Sequence, residues 1–290
     1  MEAFLRDRFP YLAEEIAGIG EGAQIGSDAA RHLSFFSASR VFTECTNLGF
    51  CTSDRGPLHA KTFDIGNQHD VYVLHRVVPE HGYRYFRVNW AGNVWAPTGI
   101  NEHGLAVGSS STPAIPDQDP CAMPWHMTMN VVLRECATVQ EALALLAETP
   151  LAGKGHNYGL MDANGDGAIV EKCGDRQGII RPERDVTCCA NHYTTEPLRE
   201  FVAGDGPGRQ SSLDRLAWMR RSFIEADPQP PLTLDALIGA VRNSEGDGRL
   251  CRKGFAGGHT HYAMVYICRE RTVLVSDGYP CDTPFIAHRL

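Results

Sequence analysis

The sequence predicts an α+β fold of packed β-sheets with helices on their outer faces. Three observations support this prediction: segments with strand-like alternation, segments with helical spacing of apolar residues, and the order of these segments. Strands come first, and two helices, more strands, two further helices and a last strand pair follow. A chain of 290 residues can bury a large core, and single domains of this size are common, so we expect one structural domain.

A helix and a turn are predicted before the first strand. The apolar residues that indicate the helix recur at helical spacing: Tyr11, Leu12, Ile16 and Ile19. The run Gly20-Glu21-Gly22 then predicts a turn, because glycine weakens a helix.

The stretch from Cys45 to Asp64 predicts a hairpin with a polar turn that contains Gly56. Such a hairpin can hold a thiol against a carboxylate. This layout is typical of enzymes that cut their own backbone just before a Cys and then use the new terminal residue as nucleophile and base. In such an enzyme, residues 1–44 would be a detachable segment.

Further strands and helices follow in order. The strand-like segments are residues 71–75, 83–87, 157–162, 168–171, 262–268 and 272–276. Thr138 and Glu141 form a capping box that predicts a helix start. Ser211 with Asp214 predicts a second helix start, and Thr233 precedes a third amphipathic segment.

Charge and hydropathy exclude two classes of partner. The formal net charge of −8 offers no basic footprint for nucleic acid or an anionic membrane, since phosphate contacts need clustered Lys and Arg. The start of the chain lacks the apolar core of a signal peptide, and no window approaches the roughly 18 apolar residues of a membrane helix. We therefore expect a cytoplasmic protein that binds neither nucleic acid nor a membrane.

Cysteine and histidine usage gives no indication of a cofactor. The ten Cys residues are too sparse for a disulfide scaffold, so we expect most of them to be reduced core residues. No Cys-x-x-Cys occurs, and the nearest His pairs lack further ligands at zinc spacing. We expect no metal and no other cofactor.

Six short stretches carry a resemblance to a known family. They are residues 15–23, Cys45-Thr46 with Asp64, residues 99–107, residues 157–165 with Glu171, residues 190–193, and residues 211–215. Together they resemble the N-terminal nucleophile (Ntn) cysteine hydrolases of the isopenicillin N acyltransferase type, which are related to choloylglycine hydrolase and acid ceramidase. The resemblance implies a four-layer αββα sandwich of two packed, mainly antiparallel sheets.

The resemblance also implies roles for site residues. Cys45 matches the nucleophile, Asp64 the carboxylate that orients it, and Asn191 the donor of the oxyanion hole. Arg215 matches a site Arg of the bile-salt enzymes, and Lys61 stands where many relatives place an Arg. The chain would divide into a pro-segment, 1–44, and a catalytic part, 45–290, that stay together as a heterodimer. A homo-oligomer is also compatible with the sequence.

The proposed chemistry has a physical basis. An N-terminal Cys combines a thiol of ordinary pKa about 8.5 with an α-amine of about 7.7–8.0, so the amine can take the thiol proton near neutral pH. Before cleavage the amine is locked in the Glu44–Cys45 amide, and the thiol would attack the Glu44 carbonyl to give a thioester that water opens. Asp64 would accept hydrogen bonds from the freed amine, and the Asn191 amide would donate to the oxyanion.

Each of these residues also has a simpler interpretation. Asp64 can cap a turn, Asn191 can bond neighbouring backbone, and Arg215 can lie on a solvated helix face. Cys51 begins a second triplet of the nucleophile type, but it lies near the tip of the hairpin, so we prefer Cys45.

Three functions are consistent with the sequence. The first is a self-processing Ntn cysteine amidohydrolase that cleaves a linear carbon–nitrogen amide bond of an N-acyl small molecule through a Cys45 thioester. The second is an acyltransferase that moves an acyl group from acyl-CoA or an amide to an amine. The third is an unprocessed binding protein of the same fold. Two departures from the family favour this third function: Glu44 stands where isopenicillin N acyltransferase has a Gly, and Lys61 stands where many relatives have an Arg.

Overall fold

The structure, a computed structural model, describes residues 1–36, 43–66, 72–116, 118–201, 207–254 and 258–290. Two mainly antiparallel β-sheets pack face to face, and helices cover the outer face of each. The predicted α+β class and the four-layer αββα order are therefore confirmed. In the described part of the chain, no helix is long and apolar enough to cross a membrane.

The first sheet has six strands and contains the predicted hairpin. In spatial order its strands are β12 (Val186–Cys189), β1 (Thr43–Phe50), β2 (Leu58–Ile65), β13 (His259–Ile267), β14 (Thr272–Asp277) and β15 (Phe285–Arg289). The hairpin of β1 and β2 lies near the centre of this sheet, with β13 on its other side. The late strand pair expected from the sequence is β13 and β14.

The second sheet has seven strands, all paired antiparallel. In spatial order they are β11 (Arg176–Ile180), β10 (Gly167–Cys173), β9 (Gly155–Met161), β6 (Ala106–Thr112), β5 (Thr98–Asn101), β4 (Tyr85–Trp90) and β3 (Tyr72–Val77). Two predicted strand pairs thus form in this sheet, β3 with β4 and β9 with β10, although Val71 of the predicted third strand lies outside the described residues. A short parallel pair, β7 (Met123–Pro124) and β8 (Leu151–Ala152), stands apart from both sheets.

Helices cover the two sheets from outside. The helices α1 (Glu2–Arg8), α2 (Pro10–Gly22), α4 (Thr128–Glu135) and α5 (Val139–Glu148) share one apolar cluster with the seven-stranded sheet. The helices α6 (Pro207–Met219) and α7 (Leu234–Arg242) share another with the six-stranded sheet. Short 3₁₀ turns lie at Trp125–Met127 and Cys268–Glu270, and α6 continues into a π-helical turn, Arg220–Ile224.

The predicted turn at Gly20-Glu21-Gly22 is wrong, because α2 continues through Gly22. The chain turns only before α3 (Gly26–Phe36). A Cβ on Gly20 would lie 2.9 Å from the Gly26 carbonyl oxygen and 3.1 Å from the Ala30 side chain. Gly20 therefore lets two helices approach closely, and it does not mark a break.

Two of the three predicted helix starts are confirmed. The Thr138 hydroxyl accepts from the Glu141 backbone N–H at 3.2 Å, and the Thr233 hydroxyl accepts from that of Ala236 at 3.1 Å. The start predicted at Ser211 is wrong, since α6 begins at Pro207. Ser211 is a buried residue inside the helix, where it faces the site described next.

Candidate active site

The register of the β1–β2 hairpin differs from the arrangement expected of a thiol facing a carboxylate. Cys45 lies directly across from Phe63, and Glu44 lies across from Asp64. Because successive side chains alternate between the faces of a sheet, the Cys45 thiol and the Asp64 carboxylate lie on opposite faces. The hairpin therefore has a thiol face, toward the second sheet, and a carboxylate face, toward the helices α6 and α7.

The thiol face is apolar and aromatic. Cys45, Phe63 and Tyr262 form a row across β1, β2 and β13, and all three are buried between the sheets. The Phe63 and Tyr262 rings stack with centroids 5.0 Å apart, and the Trp95 ring meets Phe63 edge-on at 5.6 Å. Cys45 is only 1% exposed, so the thiol is closed off from solvent while the chain is continuous through residues 44 and 45.

A cavity of about 280 Å³ lies next to this row. Tyr262 lines it, together with Tyr72, Leu74, Val88, Met264, Val275, Ser276, Asp277, Ile286 and His288. Tyr262 therefore belongs both to this row and to the wall of the mainly apolar cavity.

The carboxylate face holds a cluster of four buried charged groups. The Glu44 carboxylate forms ion pairs with Arg215, at 3.3 Å, and with Arg252. Arg252 lies 3.8 Å from the Asp64 carboxylate. Arg215, Arg252 and Asp64 are each at most 1% exposed, and the Glu44 side chain is 14% exposed. Two guanidinium groups therefore balance two carboxylates beneath the hairpin.

Arg215 binds the backbone on the carboxyl side of Glu44. Its Nη1 donates to the Cys45 carbonyl oxygen at 2.6 Å and to the Thr46 hydroxyl at 2.8 Å. Its Nη2 donates to Asn191 Oδ1 at 2.9 Å. The alternative of a solvated helix face is therefore wrong, because this side chain is completely buried and bonded to the strand that carries the thiol.

Asn191 holds the Cys45 backbone in a way that the sequence did not predict. Its Oδ1 accepts from the Cys45 N–H at 2.9 Å, and its Nδ2 donates to the Ser111 carbonyl at 2.8 Å. The orientation of the amide follows from Arg215, which can only donate and so must face the oxygen. In the uncleaved chain, Asn191 thus accepts from the backbone amide of the candidate nucleophile. The expected donation to an oxyanion stays a prediction.

Several buried side chains fix the loop that carries Asn191. Glu171 accepts from the backbone N–H and hydroxyl groups of both Thr194 and Thr195, at 2.6 to 2.8 Å. Asn157, the partner of Glu171 across β9 and β10, donates to the carbonyls of Ala190 and His192. This pair of side chains holds both flanks of Asn191.

Helix α6 supplies a further contact to the same loop. The Ser212 hydroxyl accepts from the Asn191 backbone N–H at 2.7 Å and lies 2.7 Å from His192 Nδ1. Burial, with Arg215 and Arg209 adding repulsion, lowers the pKa of His192 to about 4. The ring is therefore neutral near pH 7, and its Nδ1 can accept the Ser212 proton.

Asp64 is fixed by Thr260 from the neighbouring strand. The Thr260 hydroxyl donates to Asp64 Oδ1 at 2.7 Å and accepts from the Arg252 backbone N–H at 2.9 Å. One hydroxyl thus positions both a carboxylate and the residue whose guanidinium lies beside it. The alternative in which Asp64 only caps a turn does not describe these contacts.

Lys61 lies on the thiol face, two residues along β2 from Phe63, and is completely buried. Its ammonium donates to the Thr62 carbonyl at 3.2 Å and lies 5.6 Å from the Phe63 ring centroid. Lys61 therefore lies close to the row of Cys45, Phe63 and Tyr262. Its role in holding the Cys or a substrate stays a prediction.

Electrostatics disfavours Cys51 as the nucleophile. Burial, together with Asp185, Asp166 and Asp162, raises the pKa of the Cys51 thiol to about 12. Such a thiol is protonated near pH 7 and is a poor nucleophile. The Cys45 thiol lies on the opposite face of the hairpin from the two guanidinium groups, and Arg215 binds the Cys45 carbonyl.

Burial raises the pKa of the Glu44 carboxyl above its ordinary value, and the attraction of Arg215 and Arg252 opposes this increase. The carboxylate and the guanidinium groups therefore depend on one another. A charge left alone in this cluster is costly, since a buried ion without its partner keeps the penalty of losing water.

No sequence pattern assigned four further residues to this site: Arg252, Thr260, Glu171 and Ser212. Arg252 lies in the irregular stretch between α7 and β13, where no periodicity or motif marks it. The sequence places Glu171 at the end of a hairpin, and it gives no sign that Glu171 binds Thr194 and Thr195 in the loop that carries Asn191. Among the described residues, no group of three or more His, Cys, Asp or Glu side chains could hold a metal ion.

Comparisons with known sequences and structures show the family and the fold of this chain. A family model described as acyl-coenzyme A:6-aminopenicillanic acid acyl-transferase matches residues 51–223. The matched range covers more than half of the chain and contains Asp64, Asn191 and Arg215, while Cys45 precedes it. A search of curated protein sequences found no significant match.

Three solved structures share the fold. The chain is similar to a mutant of the conjugated bile acid hydrolase from Clostridium perfringens, with a TM-score of 0.55, 12% identity, and coverage of 85% of this chain and 97% of that one. The chain is also similar to penicillin V acylase from Agrobacterium tumefaciens, with a TM-score of 0.54 and 18% identity. That match covers 85% of this chain and 86% of the acylase. A third similar structure is the N-acylethanolamine-hydrolyzing acid amidase ortholog from Caenorhabditis elegans, with a TM-score of 0.52 and 12% identity. That match covers 85% of this chain and 100% of the amidase.

Proposed function

Because the chain belongs to the acyl-coenzyme A:6-aminopenicillanic acid acyl-transferase family and has the Ntn-hydrolase fold, we propose that it is a self-processing cysteine amidohydrolase. In this proposal, Cys45 cleaves the bond to Glu44 and then hydrolyses a linear amide of an N-acyl small molecule. Residues 1–44 are the pro-segment, and residues 45–290 are the catalytic part.

The observation that supports the proposal best is how the Cys45 backbone is held. The ladder between β1 and β12 begins only at Asn47. At Cys45, side chains replace the neighbouring strand, since Asn191 accepts from its N–H and Arg215 donates to its carbonyl. A strand end bound by buried side chains keeps its position when the chain before it is cut. Ordinary core cysteines have no such support.

Self-cleavage starts from the thiol and the Glu44 carbonyl. The Cys45 sulfur adds to the carbonyl carbon, the carbon–nitrogen bond breaks, and the thiol proton passes to the nitrogen, which becomes the terminal amine. The product is a thioester between Glu44 and the Cys45 sulfur. Water then opens the thioester, which releases a carboxylic acid on residue 44 and restores the thiol.

Substrate turnover repeats both steps, since the substrate's acyl group first forms a thioester with Cys45 and water then opens this thioester to restore the thiol. The Cys45 amine takes the thiol proton, the sulfur attacks the substrate carbonyl, and the amine delivers the proton to the leaving nitrogen. Asp64 would orient the amine from the carboxylate face. Asn191, once released from the Cys45 amide, would turn to the oxyanion, where one donor typically contributes a few kcal/mol.

The family description supports a second candidate, an acyltransferase. Its thioester would pass the acyl group to an amine in place of water, and acyl-CoA would be an alternative donor. The two candidates share every residue of the site and differ only in the acceptor. A third candidate, an uncleaved binding protein, is supported by the closed thiol and by Glu44, but it gives no role to the contacts around the Cys45 backbone.

Intact-mass measurement of the purified chain tests the proposal. We expect two fragments, divided before Cys45, that purify together, and the Cys45→Ala variant should remain whole and inactive. The Cys51→Ala variant is the matched control and should be cut normally. A single full-length species with no labelling of Cys45 by a thiol reagent would contradict the proposal. Amide substrates tested with and without an added amine would then separate hydrolysis from acyl transfer.

A further inference from the structure

The Glu44 side chain lies in a site that suits a carboxylate. Arg215 Nη2 and Arg252 Nη1 approach the same oxygen, Glu44 Oε2. Both arginine side chains are at most 1% exposed, and each has a contact that does not involve Glu44. Arg215 is fixed by the Cys45 carbonyl, and the Arg252 backbone is fixed by Thr260.

This site is part of the acyl-binding region if the proposed function holds. The thioester formed in self-cleavage joins the Cys45 sulfur to an acyl group whose side chain is that of Glu44. The thioester formed in substrate turnover joins the same sulfur to the substrate's acyl group. The same machinery hydrolyses both species, so the place occupied by the Glu44 side chain is the place available to the substrate's acyl chain.

Cleavage also changes the charge of the site. Once the end of the pro-segment withdraws, two guanidinium groups remain with Asp64 as the only carboxylate of the original cluster. Removing one carboxylate from this buried cluster restores part of the desolvation penalty of its two cations, which amounts to several kcal/mol for an isolated buried ion. A substrate that brings its own carboxylate to this position removes the penalty, and the bidentate geometry of guanidinium groups favours such a partner.

We propose, building on the proposed function, that the substrate's acyl group carries a carboxylate that binds between Arg215 and Arg252. In Glu44, three carbon atoms separate the scissile carbonyl from the carboxylate. The fitting acyl groups are therefore glutaryl and α-linked glutamyl, and the carboxylate belongs to the acyl part and not to the leaving amine. Glu44 thus acts as a built-in substrate analogue during maturation.

Kinetics with matched anilides test this specificity. The self-cleaved protein is assayed with glutaryl-p-nitroanilide and with its neutral isostere, in which a primary amide replaces the carboxylate. We expect kcat/KM to be about tenfold or more higher for the acid, the ratio typical of one charge-assisted hydrogen bond. The Arg252→Gln variant should bring that ratio close to one, whereas a merely structural role of Arg252 would lower both values and leave the ratio unchanged.

A binding measurement tests the site without activity. In a Glu44→Ala, Cys45→Ala double variant, which cannot cleave itself, the missing part of the side chain corresponds to acetate. We expect acetate to raise the melting temperature saturably and acetamide to leave it unchanged. Adding Arg252→Gln should abolish the acetate effect.

The outcomes separate this inference from the proposed function. A chain that stays whole contradicts the proposed function, and the inference falls with it. A cleaved, active enzyme that hydrolyses the neutral anilide as fast as the acid, or only anilides with apolar acyl groups, overturns the inference alone. A double variant that does not respond to acetate also overturns it.

Discussion

The two faces of the β1–β2 hairpin have opposite chemistry. On the thiol face, Cys45 lies in a row with Phe63 and Tyr262 among aromatic rings. One residue away, on the carboxylate face, Glu44 and Asp64 are buried with two arginines. A shift of a single position along the strand therefore changes the surroundings from apolar to densely charged.

This contrast shows how a small site can separate two tasks. The thiol face excludes water from the sulfur, whereas the carboxylate face binds the Glu44 side chain and the Cys45 carbonyl. Charged groups are effective there because they are buried, where their interactions are screened less than in water. We therefore expect substitutions on the carboxylate face to lower stability the most, and substitutions on the thiol face to change mainly the rate of self-cleavage.

The largest effect is expected on the charged face. In an uncleaved Cys45→Ala background, Arg215→Met removes the donor to the backbone carbonyl of residue 45 and one of the two arginines that pair with Glu44. It should lower the free energy of unfolding by about 3–5 kcal/mol. Chemical denaturation measures this loss. The matched control is Arg220→Met, whose ion pairs with Glu183 and Glu225 are exposed, and it should cost less than about 1 kcal/mol. Equal losses in the two variants would contradict the contrast.

Acid should weaken the same face through His192. The folded chain holds the pKa of His192 at about 4, and the unfolded chain returns it to about 6.5. Between these values the unfolded chain binds the proton more readily, so stability is lost as the pH falls through this window, by up to about 1.4 kcal/mol per pH unit.

Denaturation of the wild type and of His192→Asn from pH 7 to pH 4 measures this contribution. The variant should lose less stability over the window, by about 2–3 kcal/mol. Parallel curves for the two proteins would mean that His192 is protonated in the folded chain.

A smaller effect is expected from the support of Asn191. Glu171→Gln keeps the size of the side chain but replaces one carboxylate oxygen by a donor that faces the N–H and hydroxyl groups of Thr194 or Thr195. We expect a loss of about 1–3 kcal/mol in stability and slower self-cleavage, followed by gel electrophoresis. Glu183→Gln, at an exposed glutamate, should change neither quantity. Normal cleavage in Glu171→Gln would show that the loop needs no such support.

The smallest change in stability is expected on the thiol face. Lys61→Met replaces a buried ammonium that has a single weak hydrogen bond, so the free energy of unfolding should change by less than about 1 kcal/mol. Self-cleavage should nevertheless slow by about tenfold if the charge assists the thiol. The control is Lys172→Met, since Lys172 is a buried lysine on the seven-stranded sheet. It should be cleaved at the normal rate, and equal rates in the two variants would exclude Lys61 from the site.

The fold was largely predictable because its signals are local. Hairpins such as β9 with β10 are marked by turn residues between alternating segments, and Thr138 and Thr233 mark helix starts through their own side chains. Ser211 failed as a start signal because the hydroxyl faces a buried site and not the backbone of its own helix. The expected family and fold are confirmed by the family model and by the solved structures.

The site was predictable only in part, because its geometry depends on long-range register. Spacing identified Cys45 and Asp64 as a pair, but one residue of register determines whether two side chains share a face, and the sequence carries no signal at that resolution. Arg252 reaches the cluster from a segment without periodicity, and Thr260 reaches it from β13. Their contribution follows from strand pairing with β13, which no local pattern specifies.

The N-terminal helices have a consequence for how this protein is produced. Leu5, Phe9, Leu12 and Ile16 belong to the same apolar cluster as α4, α5 and the seven-stranded sheet, and their burial contributes on the order of 10 kcal/mol. A gene that starts at codon 45 would yield a polypeptide with a large exposed apolar surface, and we expect this polypeptide to aggregate into inclusion bodies. Supplying residues 1–44 in trans, from a second open reading frame, should restore its solubility.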